Sequence, residues 1–175
     1  MSGDLPDAQD PTPEVPDTPE ALTSGPGDVA VILSPIPRTR FMVALCALTK
    51  VRATVLETSA GPMAVLDDAT PEGARRSAKA LSAFVQQAEF VLVESRAGNI
   101  HVDVWKGADA VRELPPGLAL NDAPGVVTSI LTGVQTIDQV AETHPDKVHT
   151  TDMGRVSAYR ELLRETKALK KGQGA

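Results

Sequence analysis

The chain has 175 residues, of which 42% are hydrophobic and 23% are charged, and its formal net charge is −6. This length and apolar fraction suit one globular domain with or without a tail. The single cysteine, Cys46, excludes an intramolecular disulfide and a thiolate-based zinc site. The longest apolar run, residues 41–48, is too short to cross a bilayer, and the N-terminus lacks the basic and apolar regions of a secretion signal. We therefore expect a cytoplasmic protein with no membrane partner.

The N-terminal segment, residues 1–27, carries the whole formal net charge. It holds six of the 14 prolines, no lysine or arginine, and six acidic residues: Asp4, Asp7, Asp10, Glu14, Asp17 and Glu20. Residues 28–175 are neutral, because their 17 acidic residues balance 17 basic ones. A segment with so few large apolar side chains cannot bury enough surface to offset the entropy lost on ordering. The composition predicts a disordered acidic tail that acts as a solubilising or regulatory appendage.

The chain after this tail begins with a predicted strand, a helix and a hairpin. Apolar, β-branched residues over 29–33 favour a strand buried on both faces. Thr39 is placed to cap a helix from Arg40 to about Lys50, although the all-apolar residues 41–48 also fit a strand. A hairpin is then predicted from alternating residues over 51–57, a turn, and apolar residues over 63–66.

The clearest predicted helix runs from Pro71 to about Gln87. Thr70 suits its N-cap, Pro71 suits its first position, and Glu72 favours the positive end of the helix dipole. Its apolar residues recur at helical spacing and predict one buried stripe: Ala74, Ala78, Leu81, Phe84 and Val85.

Two further strands, 90–93 and 100–105, form a second predicted hairpin. The order of elements predicts an α+β fold, a ferredoxin-like βαββαβ-type sheet plus an extra hairpin strand. In that arrangement the first, third and fourth strands are interior, and the second and fifth are edges. The interior strands are almost wholly apolar, so both faces of the sheet must be covered.

Two prolines at 115 and 116 separate this predicted sheet domain, residues 28–114, from a C-terminal helical segment, residues 115–175. We expect the helical segment to pack on the sheet, because a bare sheet face would expose a large apolar patch. Asp122 suits the cap of a first short helix, and Thr136 with Gln139 predicts a capping box for a second.

A last helix is predicted over residues 152–171. Its apolar residues have spacings that predict one broad stripe: Met153, Val156, Tyr159, Leu162, Leu163 and Leu169. The same helix carries the basic residues Arg155, Arg160, Arg164, Lys167, Lys170 and Lys171. They suit nucleic-acid binding through a distorted helix-turn-helix. Two other interpretations stay open, a solvated face and an intramolecular partner for the acidic tail.

Two further groups of residues are candidates for ligand binding. Arg38, Thr39 and Arg40 lie at a predicted helix start, where two cations and a hydroxyl suit an anion. The ordinary interpretation is solvated charges beside a cap, and the common phosphate-loop motifs are absent. Imidazole and carboxylate ligands also cluster at Glu142, His144, Asp146, His149 and Asp152.

The spacing of that cluster matches no familiar metal motif, so we expect no metal and no other cofactor. If a metal did bind, His144, Asp146 and His149 would be its first candidate ligands. His101 and Asp103 share one strand face, but no motif supplies a nucleophile beside them. Our leading hypothesis is therefore a non-enzymatic protein that binds another protein or itself. The alternatives are a nucleic-acid-binding regulator and a small-molecule or anion-binding enzyme that uses the loop 38–40.

Overall fold

The computed structural model describes residues 27–172, so the predicted acidic tail, except for Gly27, lies outside the described residues. The described chain has a mixed α+β fold with a seven-stranded antiparallel sheet. The strands are β1 (Val29–Leu33), β2 (Ala53–Thr58), β3 (Gly61–Leu66), β4 (Phe90–Arg96), β5 (Asn99–Lys106), β6 (Asp109–Glu113) and β7 (Val148–Thr150). The helices are α1 (Thr39–Thr49), α2 (Pro71–Phe84), α3 (Pro116–Ala119), α4 (Gly125–Leu131), α5 (Ile137–Thr143) and α6 (Arg155–Gly172), with a 3-10 turn at Pro145–Lys147.

The strands lie in the order β6-β5-β4-β1-β3-β2-β7, and every neighbouring pair is antiparallel. This order differs from that of the predicted sheet, because two unpredicted strands extend it at its two edges. β6 pairs with β5, and β7 pairs with β2. The second and fifth strands, which we predicted to be edges, are therefore both covered by a neighbour.

Neither added strand has a hydrophobic pattern that would reveal it. All five residues of β6 are exposed, and β7 has three residues, none of them fully buried. Such strands bury little or no side-chain surface, so a search for alternating burial misses them. The tight turn before β6 has Gly107 at φ +59° and Ala108 at φ +78°, which suits a two-residue hairpin of the primed type.

The all-apolar residues 41–48 form a helix rather than a strand. α1 packs on the sheet with one side and on α6 with another, so residues 41–46 are all buried. The prediction that Thr39 caps this helix is wrong. Arg38 occupies the N-cap without a side-chain hydrogen bond, and Thr39 is the first helical residue. The Thr39 hydroxyl instead donates to a carboxylate oxygen of Glu57 on β2, at 3.2 Å.

The prediction for the start of α2 is confirmed, since the Thr70 hydroxyl oxygen accepts a hydrogen bond from the Gly73 backbone N–H at 3.1 Å. Leu81 is fully buried, as the stripe requires. The far end differs from prediction, because the helix ends at Phe84 and the Phe84 side chain is 49% exposed. Phe84 is therefore not part of the buried stripe.

The two faces of the sheet are covered by different helices. We call the side that packs against α1 and α2 the long-helix face, and its strand residues include Ile32, Val55 and Leu92. Trp105, the only tryptophan of the chain, is buried there, and its indole Nε1 has no hydrogen-bond partner within the described part of the chain.

We call the opposite side of the sheet the short-helix face. Val31 and Val93 of the strands pack there against Ile130 and Leu131 of α4. The predicted Asp122 cap of α4 is wrong, because the helix begins at Gly125 with Pro124 as its N-cap. The predicted capping box of α5 is confirmed, with both of its hydrogen bonds formed between Thr136 and Gln139.

Candidate functional site

Helix α6 lies against α1 and is tied to the sheet at its beginning. Thr151, which follows β7, accepts a hydrogen bond from the Ala53 backbone N–H at 3.3 Å and donates one to the Ala53 carbonyl oxygen at 3.0 Å. The side chains of Ala158 and Leu162 are buried in the same core as α1. Small and branched apolar residues four positions apart lie on one side of a helix, so they define the inner side of α6.

The inner edge of α6 is charged and is paired with the start of α1. Arg38 Nη1 lies 3.0 Å from Glu165 Oε2, and Arg40 Nη1 lies 3.7 Å from Glu161 Oε1. Both carboxylates are largely buried, whereas Arg40 is largely exposed. These ion pairs fix which side of α6 faces α1. Both acidic residues of α6 therefore lie on the side that faces α1.

The outer side of α6 carries exposed apolar residues. Val156 is 68% exposed, Tyr159 is 55% exposed and Leu163 is 45% exposed. Their spacing of three and then four residues aligns them along one side of the helix. The sequence predicted that they are buried together with Leu162, and this part of the prediction is wrong. The contact with α1 buries Leu162 but leaves the other three exposed.

Exposed basic residues surround this apolar line: Arg155, Arg160, Arg164, Lys167, Lys170 and Lys171. Arg160 follows Val156 by four positions and Lys167 follows Leu163 by four, so these two border the line directly. Arg164 is also 3.6 Å from Glu161. We call the line of Val156, Tyr159 and Leu163, together with these six basic residues, the α6 outer face.

The predicted anion site, Arg38 to Arg40, lines an open cleft of about 410 Å³ between the start of α1, the β2–β3 hairpin and α6. Each of its three polar side chains contacts a carboxylate: Arg38 that of Glu165, Thr39 that of Glu57, and Arg40 that of Glu161. An anion in this cleft would compete with carboxylates already in place. The structure thus brings the three residues together, but in a neutralised arrangement.

The candidate metal ligands do not converge. His144 lines a cleft between β2, α4 and α5, whereas His149 lines a separate one between α1, β7 and α6. Across residues 27–172, no three His, Cys, Asp or Glu side chains are grouped so that they could hold a metal ion. Over the same residues, no helix is long and apolar enough to span a membrane.

Two other groups of charged side chains lie at the ends and edge of the sheet. His101 Nε2 lies 3.2 Å from Asp103 and its Nδ1 lies 3.3 Å from Glu113 of β6, on a partly exposed part of the sheet. Arg96 contacts the buried Glu94 at 2.6 Å and Asp28 at 3.0 Å. The hydrogen bond to Glu94 raises the pKa of Arg96, with a further contribution from Asp28. This pairing joins the start of β1 to the end of β4 and is structural.

Cys46 is buried in the core on α1, and burial raises the pKa of its thiol to about 12. A thiol in that state is a poor nucleophile, because the thiolate is the reactive form. Cys46 is therefore not an activated nucleophile.

The feature that sequence reasoning missed is the division of the apolar residues of α6 into a buried line and an exposed line. The sequence did hold one sign of this division: α6 has more apolar residues than a single contact with a neighbouring helix can bury.

Comparison with known proteins found no matching protein family, no matching curated protein and no matching solved structure.

Proposed function

We propose that this chain is a non-enzymatic binding protein, and that its α6 outer face binds an acidic segment of another protein that also presents apolar side chains. The observation that carries the proposal is the exposure of Val156, Tyr159 and Leu163 in one line bordered by basic residues. Aromatic and arginine side chains are the types that most often dominate binding energy at protein interfaces. The α6 outer face supplies both.

The charge of this surface argues for a partner other than a second α6. The acidic residues Glu161 and Glu165 form ion pairs with Arg38 and Arg40 at the start of α1, so the charged residues on the outer face are basic. Two such faces in contact would place like charges together, which disfavours association. An acidic partner gains attraction from the same charges, and its apolar side chains bury the exposed line.

The enzyme alternative receives less support. The cleft at 38–40 holds a carboxylate beside each cation, and Cys46 is an inert buried thiol. General acid–base or covalent catalysis needs a group with a free reacting site at hydrogen-bond distance from a substrate.

Nucleic-acid binding is the second candidate function, because all six basic residues of the α6 outer face are exposed. Phosphates are attracted by such residues without regard to sequence. A helix-turn-helix is disfavoured, since a 3-10 turn and the strand β7 separate α5 from α6. The exposed apolar line also has no role in phosphate contact, and this favours a protein partner.

We further infer that the central strands β4-β1-β3-β2 form a ferredoxin-like core, enlarged by β5 and β6 at one edge and by β7 at the other. The antiparallel pairings of β1 with β3 and β4, and of β2 with β3, support this inference. The division into residues 28–114 and 115–175 remains our proposal for the domain organisation. In this scheme the first unit is a scaffold and the second unit supplies the binding helix.

The test is a fluorescence-anisotropy titration with two labelled probes. One is an amphipathic 20-residue peptide with glutamate on its polar side and leucine on its apolar side, and the other is a DNA duplex of similar charge. The purified chain should bind the peptide. Substituting Tyr159→Ser together with Leu163→Ser should weaken peptide binding by about tenfold or more, because each lost apolar contact costs about 1 kcal/mol.

The matched control replaces two exposed apolar residues elsewhere, Phe84→Ser and Leu118→Ser, and should leave peptide affinity unchanged. Circular dichroism should show the same fold for both double variants. If the peptide fails to bind, or binds the Tyr159 and Leu163 variant equally well, the proposal is wrong. Tight duplex binding with a steep salt dependence, insensitive to both variants, would instead establish the nucleic-acid alternative.

A further inference from the structure

We infer that the chain's own acidic N-terminal segment, residues 1–27, occupies the α6 outer face in the free protein and competes with an outside partner. This inference rests on the proposed function, because it assigns a regulator to the same surface.

The charges of the two elements are complementary. Residues 1–27 contain six acidic residues and no lysine or arginine, while the α6 outer face has six exposed basic residues. The rest of the chain is formally neutral, so the segment holds the whole net charge of the protein. Leu5, Val15 and Leu22 add apolar side chains to the segment, and these match the exposed line of the helix.

The position of β1 brings the segment close to α6. Val29 begins β1, and the strand register places the start of β1 beside Leu66 at the end of β3 and Ala53 at the start of β2. Ala53 is hydrogen-bonded to Thr151, which lies just before α6. The start of β1 and Thr151 are thus at the same end of the sheet and three strands apart, and residues 152–154 lead from Thr151 into α6. At a strand spacing of about 4.8 Å, that separation is about 15 Å.

The segment is long enough to cover the helix. A chain of 27 residues spans up to about 90 Å when extended, at about 3.3 Å per residue. Helix α6 has 18 residues and is about 27 Å long, at a rise of about 1.5 Å per residue. After the gap of about 15 Å, the segment therefore still reaches the far end of α6.

Tethering makes even a modest intrinsic affinity effective. A short flexible connection gives an effective concentration of about 1 mM. A segment with an intrinsic Kd of about 0.1 mM would then occupy the helix about nine-tenths of the time and weaken an outside ligand by about tenfold. Since the attraction is mostly between exposed charges, this competition should fade as salt is added.

The experiment uses the full chain with the charge of its segment removed. In this neutralised chain the length is unchanged, and the substitutions are Asp4→Asn, Asp7→Asn, Asp10→Asn, Glu14→Gln, Asp17→Asn and Glu20→Gln. The probe is a labelled synthetic peptide with the natural sequence of residues 1–27, and anisotropy measures its binding. The peptide should bind the neutralised chain about tenfold more tightly than the wild-type chain at low salt. The difference should disappear near 0.5 M NaCl, where screening is almost complete.

A second variant ties the effect to α6. In the neutralised chain, Tyr159→Ser with Leu163→Ser should abolish peptide binding, whereas Phe84→Ser with Leu118→Ser should not. Equal affinity of the peptide for the wild-type and neutralised chains would overturn the inference, and so would failure of the peptide to bind the neutralised chain. A wild-type chain that sediments as a dimer, and a neutralised chain that sediments as a monomer, would show exchange between copies and would also overturn it.

The amphipathic glutamate–leucine peptide distinguishes this failure from failure of the proposed function. If that peptide binds the neutralised chain through Tyr159 and Leu163, the binding surface stands even where the peptide of residues 1–27 does not bind. If the glutamate–leucine peptide does not bind the neutralised chain, the proposed function itself has failed.

Discussion

The two faces of the sheet are covered by helices of different length and origin. The long-helix face is covered by α1 and α2, with 11 and 14 residues, which connect strands of the sheet and so return to it directly. The short-helix face is covered by α4 and α5, with seven residues each, which come after the last strand of the continuous β4–β5–β6 meander. Both faces nevertheless contain fully buried apolar residues.

This contrast shows two ways in which a helix is stabilised. A helix of 14 residues has a capped start and an apolar stripe of its own, so local sequence already favours it. A helix of seven residues is too short to be stable by itself in water, even with a capping box such as that of α5, and it forms because the sheet provides an apolar surface to cover. We therefore expect α4 and α5 to depend on the sheet more than the sheet depends on them.

The largest expected effect compares one leucine from each face. Leu81 on α2 and Leu131 on α4 are both fully buried. We expect Leu81→Ala to lower the free energy of unfolding by about 3–5 kcal/mol and Leu131→Ala by about 2–3 kcal/mol, within the range of such substitutions. The second cavity is at the end of a short helix, which can shift to fill it. Urea denaturation followed by circular dichroism measures both.

The control for this comparison is Phe84→Ala, which removes a larger side chain that is half exposed. It should cost only about 1 kcal/mol, because much of the side chain is already in water. A cost for Phe84→Ala equal to that of Leu81→Ala would contradict the burial described for α2. Equal costs for Leu81→Ala and Leu131→Ala would remove the distinction between the faces.

A smaller effect concerns Cys46, which reports on the long-helix face alone. Its pKa of about 12, against an ordinary value of 9.0, lowers the thiolate population at pH 8 by about a thousandfold. Labelling with a thiol reagent should therefore be at least a thousandfold slower in the folded protein than in urea. Because the folded state favours the neutral thiol, stability should fall as the pH rises above about 9.

The same label tests whether the faces open separately. For a given loss of global stability, Leu131→Ala should accelerate Cys46 labelling less than Leu81→Ala does, since the Leu131 side chain lies on the opposite face. If the acceleration in both variants is the one expected from their loss of global stability, the two faces unfold as one unit.

The smallest expected effect is a pH dependence at the start of α2. The pKa of Asp68 is lowered from 3.8, chiefly by the hydrogen bond that the Thr70 hydroxyl donates to it at 2.6 Å. A lowered folded pKa stabilises the protein above the ordinary value, and that stability is lost as the pH falls through the folded pKa. Asp68→Asn should therefore flatten the acid limb of the stability curve, measured by thermal melts between about pH 2 and 5.

Replacing the donor provides a second test of the same hydrogen bond. Thr70→Val leaves the carboxyl group in place, but it should also flatten the acid limb, and it should cost about 1 kcal/mol at neutral pH through loss of the helix cap. An unchanged acid limb in both variants would mean that the titration of Asp68 does not contribute to the pH dependence of stability.

Sequence patterns predicted the elements that carry their own signal. The capping residue Thr70 and the buried Leu81 of α2, and the capping box of α5, are where the sequence placed them. Strand β6 was missed because all of its residues are exposed, and β7 because it is three residues long. These strands form because each can pair with an edge strand of the sheet, β5 or β2, and the local sequence gives no sign of that pairing.

The candidate site was only half predictable. The basic residues of α6 were evident in the sequence, but the exposure of Tyr159 and Leu163 was not. Helical spacing shows which residues share a side of α6, but the packing of α6 on α1 decides which of them are exposed. Likewise, the spacing of Arg38 and Arg40 suggested a free anion site, because their partners Glu165 and Glu161 are more than 100 residues away in sequence.

The burial of Trp105 has an optical consequence. The chain has one tryptophan and one tyrosine, and they lie in opposite environments, Trp105 in the core of the long-helix face and Tyr159 in solvent on α6. An indole surrounded by apolar groups emits at shorter wavelength than one in water, so the emission maximum reads out that core. Tyr159 can be nitrated selectively, and its absorbance then follows events on the surface of α6. Each chromophore occurs once in the chain, so unfolding and ligand binding have separate optical signals.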